Sequence, residues 1–242
     1  MMVHYFGESQ DISDFQIFCN KHNLFLIEDN AHGHGGTFNG HPLGSFGDIG
    51  ISSPRKTLNI FSGGVLWLRN IALNPILELQ PYPVSFKQHV KRKTLNPYPS
   101  LKNSIRKILK NRPKFEDPWA FREREISDYS IDKWSKEIIE HTDWDEPRNT
   151  RQKSYRKWQE FSMKNGLNPV FKKLHSEVIP WCFPAYVKDQ KEVIRWFDWG
   201  WENNVNIFSW PTLPSKIINI NGSALRRWQR LICFSTEFNY KE

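Results

Sequence analysis

Apolar positions in the first 70 residues alternate between short unbroken runs and a helical spacing. The run Leu24–Ile27 is apolar throughout, which is typical of a strand buried on both faces. Residues 11–22 carry apolar side chains at 12, 15, 17 and 18, which predicts a helix with Asp11 or Ser13 as its N-cap. Further short strands are expected at 3–6, 49–51 and 65–68. This succession predicts an α/β layer built on a mostly parallel or mixed sheet.

The second half of the chain predicts a smaller α+β domain. Its expected elements are helices at 131–144 and 151–163, a strand with prolines at 176–187, a helix at 190–203, a strand at 206–210 and a final helix at 223–233. Residues 71–118 are rich in proline and basic side chains and predict a surface connector with one helix at 101–109. The expected domains are therefore 1–70, 71–118 and 119–242.

Composition narrows the class of protein. Aromatic residues make up 14% of the 242 residues, which excludes a mainly disordered chain. The formal net charge of +8 favours a nucleic acid or an anionic surface as partner. However, ten of the 34 Lys and Arg lie between Lys87 and Lys114, where there is no Asp or Glu. The other 24 are balanced by 26 acidic residues and no nucleic-acid motif accompanies them, so no nucleic-acid partner is expected.

Cysteine usage and hydropathy indicate the compartment. Cys19, Cys182 and Cys233 are odd in number and far apart, so they form neither a disulfide framework nor a Cys-x-x-Cys metal site. The N-terminal residues lack the basic and apolar regions of a signal peptide. No apolar run reaches the length of about 18 residues that a transmembrane helix needs. A cytoplasmic protein with no transmembrane segment is expected.

Several side chains that could take part in binding or catalysis follow the predicted strands. The pair Glu28-Asp29 ends the apolar run, where a carboxylate can meet a ligand or simply cap the next loop. Four histidines (His22, His32, His34 and His41) lie nearby, but their spacing matches no zinc pattern, so no metal is expected. Lys56 follows the strand at 49–51 and is either an ordinary exposed lysine or one that binds phosphate or forms a Schiff base.

The order of these fragments is more specific than any one of them. The stretch 24–68 contains, in order, EDNAHGHG, GSFGDIG, SPRK and a Gly-Gly pair before the last strand. It resembles the DegT/DnrJ/EryC1/StrS family of pyridoxal-phosphate sugar aminotransferases. The resemblance is good over 3–70, loose over 120–233 and poor over 71–118. It implies part of a fold type I large domain, followed by a small α+β C-terminal domain.

The resemblance also implies roles for individual residues. Asp29 would contact the pyridine nitrogen of pyridoxal 5'-phosphate, and His32 would contact its phenolic oxygen. Lys56 would form the Schiff base and act as the catalytic base. The phosphate would be bound by Ser53 or Ser52, because relatives carry the serine five positions before the lysine, where this chain has Ile51. The implied substrates are a nucleotide-linked keto-sugar, as in surface-polysaccharide synthesis, and glutamate as amino donor, with a homodimer as the complete enzyme.

The chain departs from the family where it begins. Relatives carry a segment before the first strand that holds a phosphate-binding turn and an aromatic residue that stacks on the cofactor. Without it, we expect an exposed apolar sheet face and weak cofactor binding and turnover by this chain alone. The alternative interpretation is a catalytically inactive fragment, or a partner subunit that retains the fold.

Overall fold

A computed structural model describes residues 1–70, 79–94, 105, 107, 108, 129–210 and 213–237. The described residues form two compact units. The first lies within Met1–Thr94, Ser127–Gln152 and Lys173–Trp181, and the second lies within Lys153–Lys172 and Cys182–Glu242, with the few described residues of Leu95–Ile126. Thus residues 129–152 and 173–181 pack with the N-terminal residues. Of the helix expected at 101–109, residues 105, 107 and 108 are described, and each is helical. Most of the connector and of its basic segment lies outside the described residues.

The first unit is built on a mixed four-stranded sheet, which confirms the predicted α/β class. Its strands, in the order β1-β2-β5-β6 across the sheet, are β1 (Met2–Val3), β2 (Ile27–Asn30), β5 (Ile49–Ser52) and β6 (Val65–Leu68). The first three are parallel, and β6 runs antiparallel to β5. Because the carboxyl ends of β2 and β5 meet at one edge of the sheet, the residues that follow them are brought together there.

Smaller elements complete the first unit. They are β3 (Thr37–Phe38) paired with β4 (His41–Pro42), β7 (Gln80–Pro81) paired with β8 (Tyr129–Ser130), and the helices α1 (Ile12–Lys21), α2 (Phe86–Thr94), α3 (Lys133–His141) and the first part of α4 (Asp145–Lys164). The Asp11 side chain accepts a hydrogen bond from the Asp14 amide, so Asp11 is the N-cap of α1.

The second strand of the sheet lies later in the sequence than predicted. Leu24 and Phe25 are 53% and 82% exposed, so the apolar run is not a strand buried on both faces. The Leu24 amide donates to the Cys19 carbonyl, and Asn23 has a φ of 49°, so the run begins in the turn that ends α1. Register with β5 starts only at Ile27, which places Glu28 and Asp29 inside the strand.

The first strand is also shorter than predicted. It ends at Val3, and Tyr5–Gly7 form a single helical turn instead of continuing the strand to residue 6. Phe6 has a φ of 61°, a left-handed conformation that a strand cannot contain and that costs a non-glycine residue about 1 kcal/mol or more. A further reason for this turn is found in the hydrogen bonds that the Phe6 backbone makes at the site described below.

The two faces of the sheet have different environments. Glu28, Gly50 and Ser52 are buried on one face, next to a core cluster. The core cluster contains Met2, Ile12, Cys19, Leu26, Leu43 and Val178. On the other face Ile27, Ile51 and Leu66 are 41%, 42% and 48% exposed. In the described residues, this face of the sheet therefore presents apolar side chains that are about half exposed.

Glu8 gives the first unit a testable dependence on pH. Both of its carboxylate oxygens accept from the His175 amide at 3.2 Å, and burial raises the Glu8 pKa to about 7 despite this hydrogen bond. The unfolded chain ionises Glu8 near pH 4.5, so this group makes the free energy of unfolding fall as pH rises from about 4.5 to 7. We expect Glu8→Gln to remove that fall. Urea unfolding of wild type and Glu8→Gln at pH 5 and pH 8 measures this difference. An equal fall in the free energy of unfolding of both proteins between the two pH values would contradict the assignment to Glu8.

The second unit is an antiparallel sheet with helices, as predicted for an α+β half. The strands, in the order β11-β12-β10-β9, are β11 (Ile207–Phe208), β12 (Leu231–Ser235), β10 (Cys182–Tyr186) and β9 (Asn168–Pro169). The helices are the second part of α4, then α5 (Gln190–Glu202), α6 (Ser215–Ile220) and α7 (Ser223–Trp228). The helix α6 was not predicted.

The last predicted helix, 223–233, is wrong in its second half. The helix ends at Trp228, and Leu231–Ser235 form a strand in which every residue is buried. Val187 and Arg230 begin the pairing of this strand with β10, because the Val187 amide donates to the Arg230 carbonyl and the Arg230 side chain donates to the Val187 carbonyl. Within the described residues, no helix has the length and apolar character needed to cross a membrane.

Candidate active site

Lys56 lies on a short turn that directly follows β5. Ser53 precedes a single turn of 3-10 helix, Pro54–Lys56, with proline at its first position, where its missing N–H costs nothing. The Lys56 amide donates to the Ser53 carbonyl at 3.1 Å. Its side chain is half-buried, and the ammonium Nζ lies 5.1 Å from the ring centroid of Trp181. The predicted catalytic lysine therefore rests on an aromatic face.

His32 lies on that same tryptophan. Its imidazole is buried and stacks on the Trp181 indole with centroids 4.7 Å apart and planes 19° apart. Burial, and then the Lys56 charge, lower the His32 pKa to about 3, so the ring is neutral at pH 7. Because Nδ1 accepts from the Phe6 amide at 3.1 Å, the neutral ring carries its proton on Nε2. His32 is thus a neutral hydrogen-bond donor.

Asp29 lies in β2, on the exposed face of the sheet. It is in register with Ile51 and half-buried. Its Oδ1 accepts from the Ala31 amide at 2.8 Å. Among the described residues, Oδ2 accepts no hydrogen bond, so one carboxylate oxygen is available to a ligand.

The structure separates the two candidate serines. Ser52 is buried, and its hydroxyl is 2.8 Å from Nδ1 of His34, whose pKa burial lowers to about 4. Because Ser52 is in register with Asn30, its side chain is on the sheet face opposite Asp29. Ser53 is half-buried at the start of the lysine turn. The structure therefore joins His32 and Lys56 through Trp181, and it joins Ser52 to His34 instead.

Glu28 is the centre of a hydrogen-bond network that the sequence did not predict. Its carboxylate accepts from Nε2 of His4 at 2.9 Å, and from the amides of Gly44, Phe46 and Gly47 at 2.6, 2.6 and 2.9 Å. Nδ1 of His4 accepts from the Gln10 amide, so Nε2 is the donor. Burial alone raises the Glu28 pKa, but the hydrogen bonds from His4, Gly44 and Gly47 hold it below its ordinary value.

This network explains the motif Gly44–Asp48. The loop folds back so that its amides bind the carboxylate that directly precedes Asp29, and the Asp48 carboxylate accepts from the Leu26 amide at 2.7 Å. The loop therefore fixes the strand that carries Asp29. The Gly-Ser-Phe-Gly-Asp signature is a structural support for the site within the described residues.

Trp181 and Arg151 contact the candidate site, and the sequence did not predict either of them. The buried Arg151 guanidinium donates to four main-chain carbonyls, those of Lys56, Thr57, Pro180 and Trp181, at 2.9 to 3.4 Å. Nothing in the sequence distinguishes Arg151 from other basic residues of a helix. The only signal for Trp181 is its position just before a strand in the segment with the loose family resemblance.

The arrangement supplies three complementary groups. It presents an amine at Lys56, a neutral N–H donor at His32 and an acceptor oxygen at Asp29. These groups suit a ligand that has a carbonyl, an oxygen acceptor and a basic ring nitrogen. The donor set therefore fits an aromatic aldehyde cofactor better than a metal ion.

Comparison with known proteins supports this interpretation. Residues 1–93 match the DegT/DnrJ/EryC1/StrS aminotransferase family. GDP-perosamine synthase of Vibrio cholerae is 38% identical over 68 residues, which are 27% of this chain and 18% of that protein. GDP-perosamine synthase of Escherichia coli is 26% identical over 232 residues, 89% of this chain and 61% of that protein. The chain thus spans at most about three fifths of either relative.

A solved structure shows the same fold. PseC of Helicobacter pylori, an aminotransferase involved in the biosynthesis of pseudoaminic acid, superposes with a TM-score of 0.55 at 13% identity, over 98% of this chain and 61% of its own. The resemblance found in the sequence is confirmed. The similarity to the DegT/DnrJ/EryC1/StrS aminotransferase family extends over residues 1–93 of this chain.

Proposed function

We propose that this chain carries cofactor-binding residues of a pyridoxal-phosphate-dependent aminotransferase that acts on a nucleotide-linked keto-sugar. The observation that carries the proposal is the shared contact of Lys56 and His32 with Trp181. Lys56 and His32 lie within residues 1–93, which match the DegT/DnrJ/EryC1/StrS aminotransferase family. The relatives named GDP-perosamine synthase support a sugar nucleotide as the substrate class.

The described residues fit the ring of this cofactor. Pyridoxal phosphate supplies an electron sink when it is bound. Oδ2 of Asp29 would accept a hydrogen bond from the protonated pyridine nitrogen and favour its protonated form. Nε2–H of His32 donates to the phenolic oxygen, and the low pKa of His32 keeps the ring a neutral donor across the physiological range.

Lys56 and Ser53 have the remaining roles in this proposal. Lys56 would hold the cofactor through its Nζ, and its free amine would accept and return a proton as the catalytic base. We assign phosphate binding to Ser53, because it begins the turn that carries Lys56. The Ser52 hydroxyl is instead hydrogen-bonded to His34. The reactive amine and the phosphate contact then both follow β5, whereas the neighbouring donor, His32, follows β2.

The partners follow from the same assignment. We propose glutamate as the amino donor, since an α-amino acid is the simplest source of the transferred amino group. We propose a homodimer as the assembled enzyme. Sedimentation equilibrium and a comparison of L-glutamate with L-glutamine as donors address these two points separately.

The test of the proposal uses the purified chain. Pyridoxal phosphate is added, the visible absorption is recorded, and the sample is reduced with borohydride, digested and mapped by mass spectrometry. We expect a visible band and a reduced cofactor adduct on the peptide that contains Lys56. Labelling spread over exposed lysines such as Lys21, with no preference for Lys56, would overturn the proposal and favour the inactive interpretation.

A further inference from the structure

Trp181 contacts both of the polar groups that face the proposed cofactor. The Lys56 Nζ lies 5.1 Å from the centroid of the Trp181 ring. The His32 imidazole stacks on the same indole, with the ring centroids 4.7 Å apart. A cation over an indole face is held by the ring quadrupole, and a stacked imidazole cannot tilt freely. One side chain thus limits the motion of two groups that come from different strands.

The backbone around Trp181 is fixed from one side by Phe6. The Trp181 amide donates to the Phe6 carbonyl at 2.8 Å, and the Phe6 amide donates to Nδ1 of His32 at 3.1 Å. This bridge accounts for the left-handed conformation of Phe6, because both of its peptide groups are used. Gly7, with a φ of +89°, continues the turn, and a Cβ there would lie 2.4 Å from the Ile179 carbonyl oxygen.

Arg151 fixes the backbone from the other side. Its guanidinium binds the carbonyls of Lys56 and Thr57, which follow β5, and those of Pro180 and Trp181, which precede β10. A planar fork with five N–H donors can serve both pairs at once, which the single ammonium of a lysine cannot do. Arg151 therefore ties the lysine turn to the tryptophan segment.

We propose that Trp181 is a positioning residue that holds Lys56 and His32 at the cofactor, and that Arg151 keeps the Lys56 and Trp181 segments in contact. This inference rests on the proposed function only in assigning Lys56 and His32 to the cofactor. Neither Trp181 nor Arg151 takes part in proton transfer. Their contribution is to reduce the conformational freedom that Lys56 and His32 would lose when the cofactor binds.

The first arm of the test needs no cofactor. In protein labelled with ¹³C-lysine, the ε-methylene signal of Lys56, assigned by its loss in Lys56→Arg, is expected at higher field than the signals of exposed lysines because it lies over the indole. Trp181→Leu should return it to the exposed-lysine position and Trp181→Phe should leave part of the shift. An unchanged signal in Trp181→Leu would overturn the proposal, whatever the function.

The second arm uses the protein with added pyridoxal phosphate. We expect Trp181→Leu to weaken covalent cofactor binding, read from the visible band, by roughly two- to five-fold, with partial rescue in Trp181→Phe. Trp134→Leu, a half-buried tryptophan of the same unit that packs on Phe61, is the matched control and should change neither readout. Equal loss in Trp134→Leu would show a general packing effect and overturn the positioning role.

The variant Arg151→Lys tests the role of Arg151 by the ¹³C-lysine measurement of the first arm. It keeps the charge but not the four carbonyl contacts, so we expect the Lys56 signal to move toward the exposed-lysine position. Retention of the full shift in folded Arg151→Lys would refute the part assigned to Arg151. If this variant does not fold, the Trp181 variants still decide the proposal.

Discussion

Replacing Glu28 by alanine is expected to lower the free energy of unfolding by about 3–5 kcal/mol, the range found when one partner of a buried charged network is removed. The substitution leaves the His4 Nε2–H and the amides of Gly44, Phe46 and Gly47 without their acceptor. Each orphaned buried donor carries a desolvation cost of about 1–3 kcal/mol. The loop 44–47 is expected to detach from β2 as a result.

Urea unfolding of Glu28→Ala measures this effect, and two further variants interpret it. Glu140→Ala removes an exposed carboxylate that pairs with Lys136 and should cost no more than about 1 kcal/mol. Glu28→Gln keeps the shape but presents an amide N–H₂ to a site made of donors, so its loss should lie between the two. A loss in Glu28→Ala no larger than in Glu140→Ala would refute the structural role of the network.

The pH dependence of the same variant gives an independent check. Because the folded-state pKa of Glu28 is held below its ordinary value of 4.5, its contribution is fully present above about pH 4.5. The contribution is lost as pH falls through the folded pKa. Wild type should therefore lose more stability than Glu28→Gln between pH 5 and the acid range, measured by urea unfolding at each pH.

The order of the motifs allowed candidate site residues to be predicted, because those motifs lie close together in the sequence. The sequence assigned Asp29, His32 and Lys56 to one site, and the structure brings the last two onto one indole. It could not choose between Ser52 and Ser53, since that choice depends on strand register. A shift of one residue along β5 exchanges the sheet face that each side chain occupies.

The residues that sequence reasoning missed act through contacts between distant parts of the chain. Arg151, Trp181 and His4 have their partners in segments far away in the sequence, and no local pattern marks them. The errors at β1 and β2 have the same origin. Apolarity predicted strands at residues 3–6 and Leu24–Ile27, but hydrogen bonds of Phe6 and the end of α1 decide where each strand stops or begins.

The largest functional effect is expected at Lys56. Lys56→Ala should abolish the borohydride-trapped adduct and lower the rate of amino-group transfer by at least about 10²–10⁴-fold, the contribution of a positioned general base. The rate is measured as the change in cofactor absorption when L-glutamate is added, with Lys21→Ala as the exposed-lysine control.

Chemical rescue distinguishes the loss of an amine from a loss of structure. Lys56→Ala leaves a space beside the Trp181 indole, where a small primary amine such as ethylamine can act as the missing base. Added ethylamine should therefore raise the rate of Lys56→Ala in proportion to the concentration of its neutral form, whereas it should not accelerate Lys21→Ala. Full activity of Lys56→Ala without any added amine would rule out Lys56 as the catalytic base, because proton transfer would then proceed from another group.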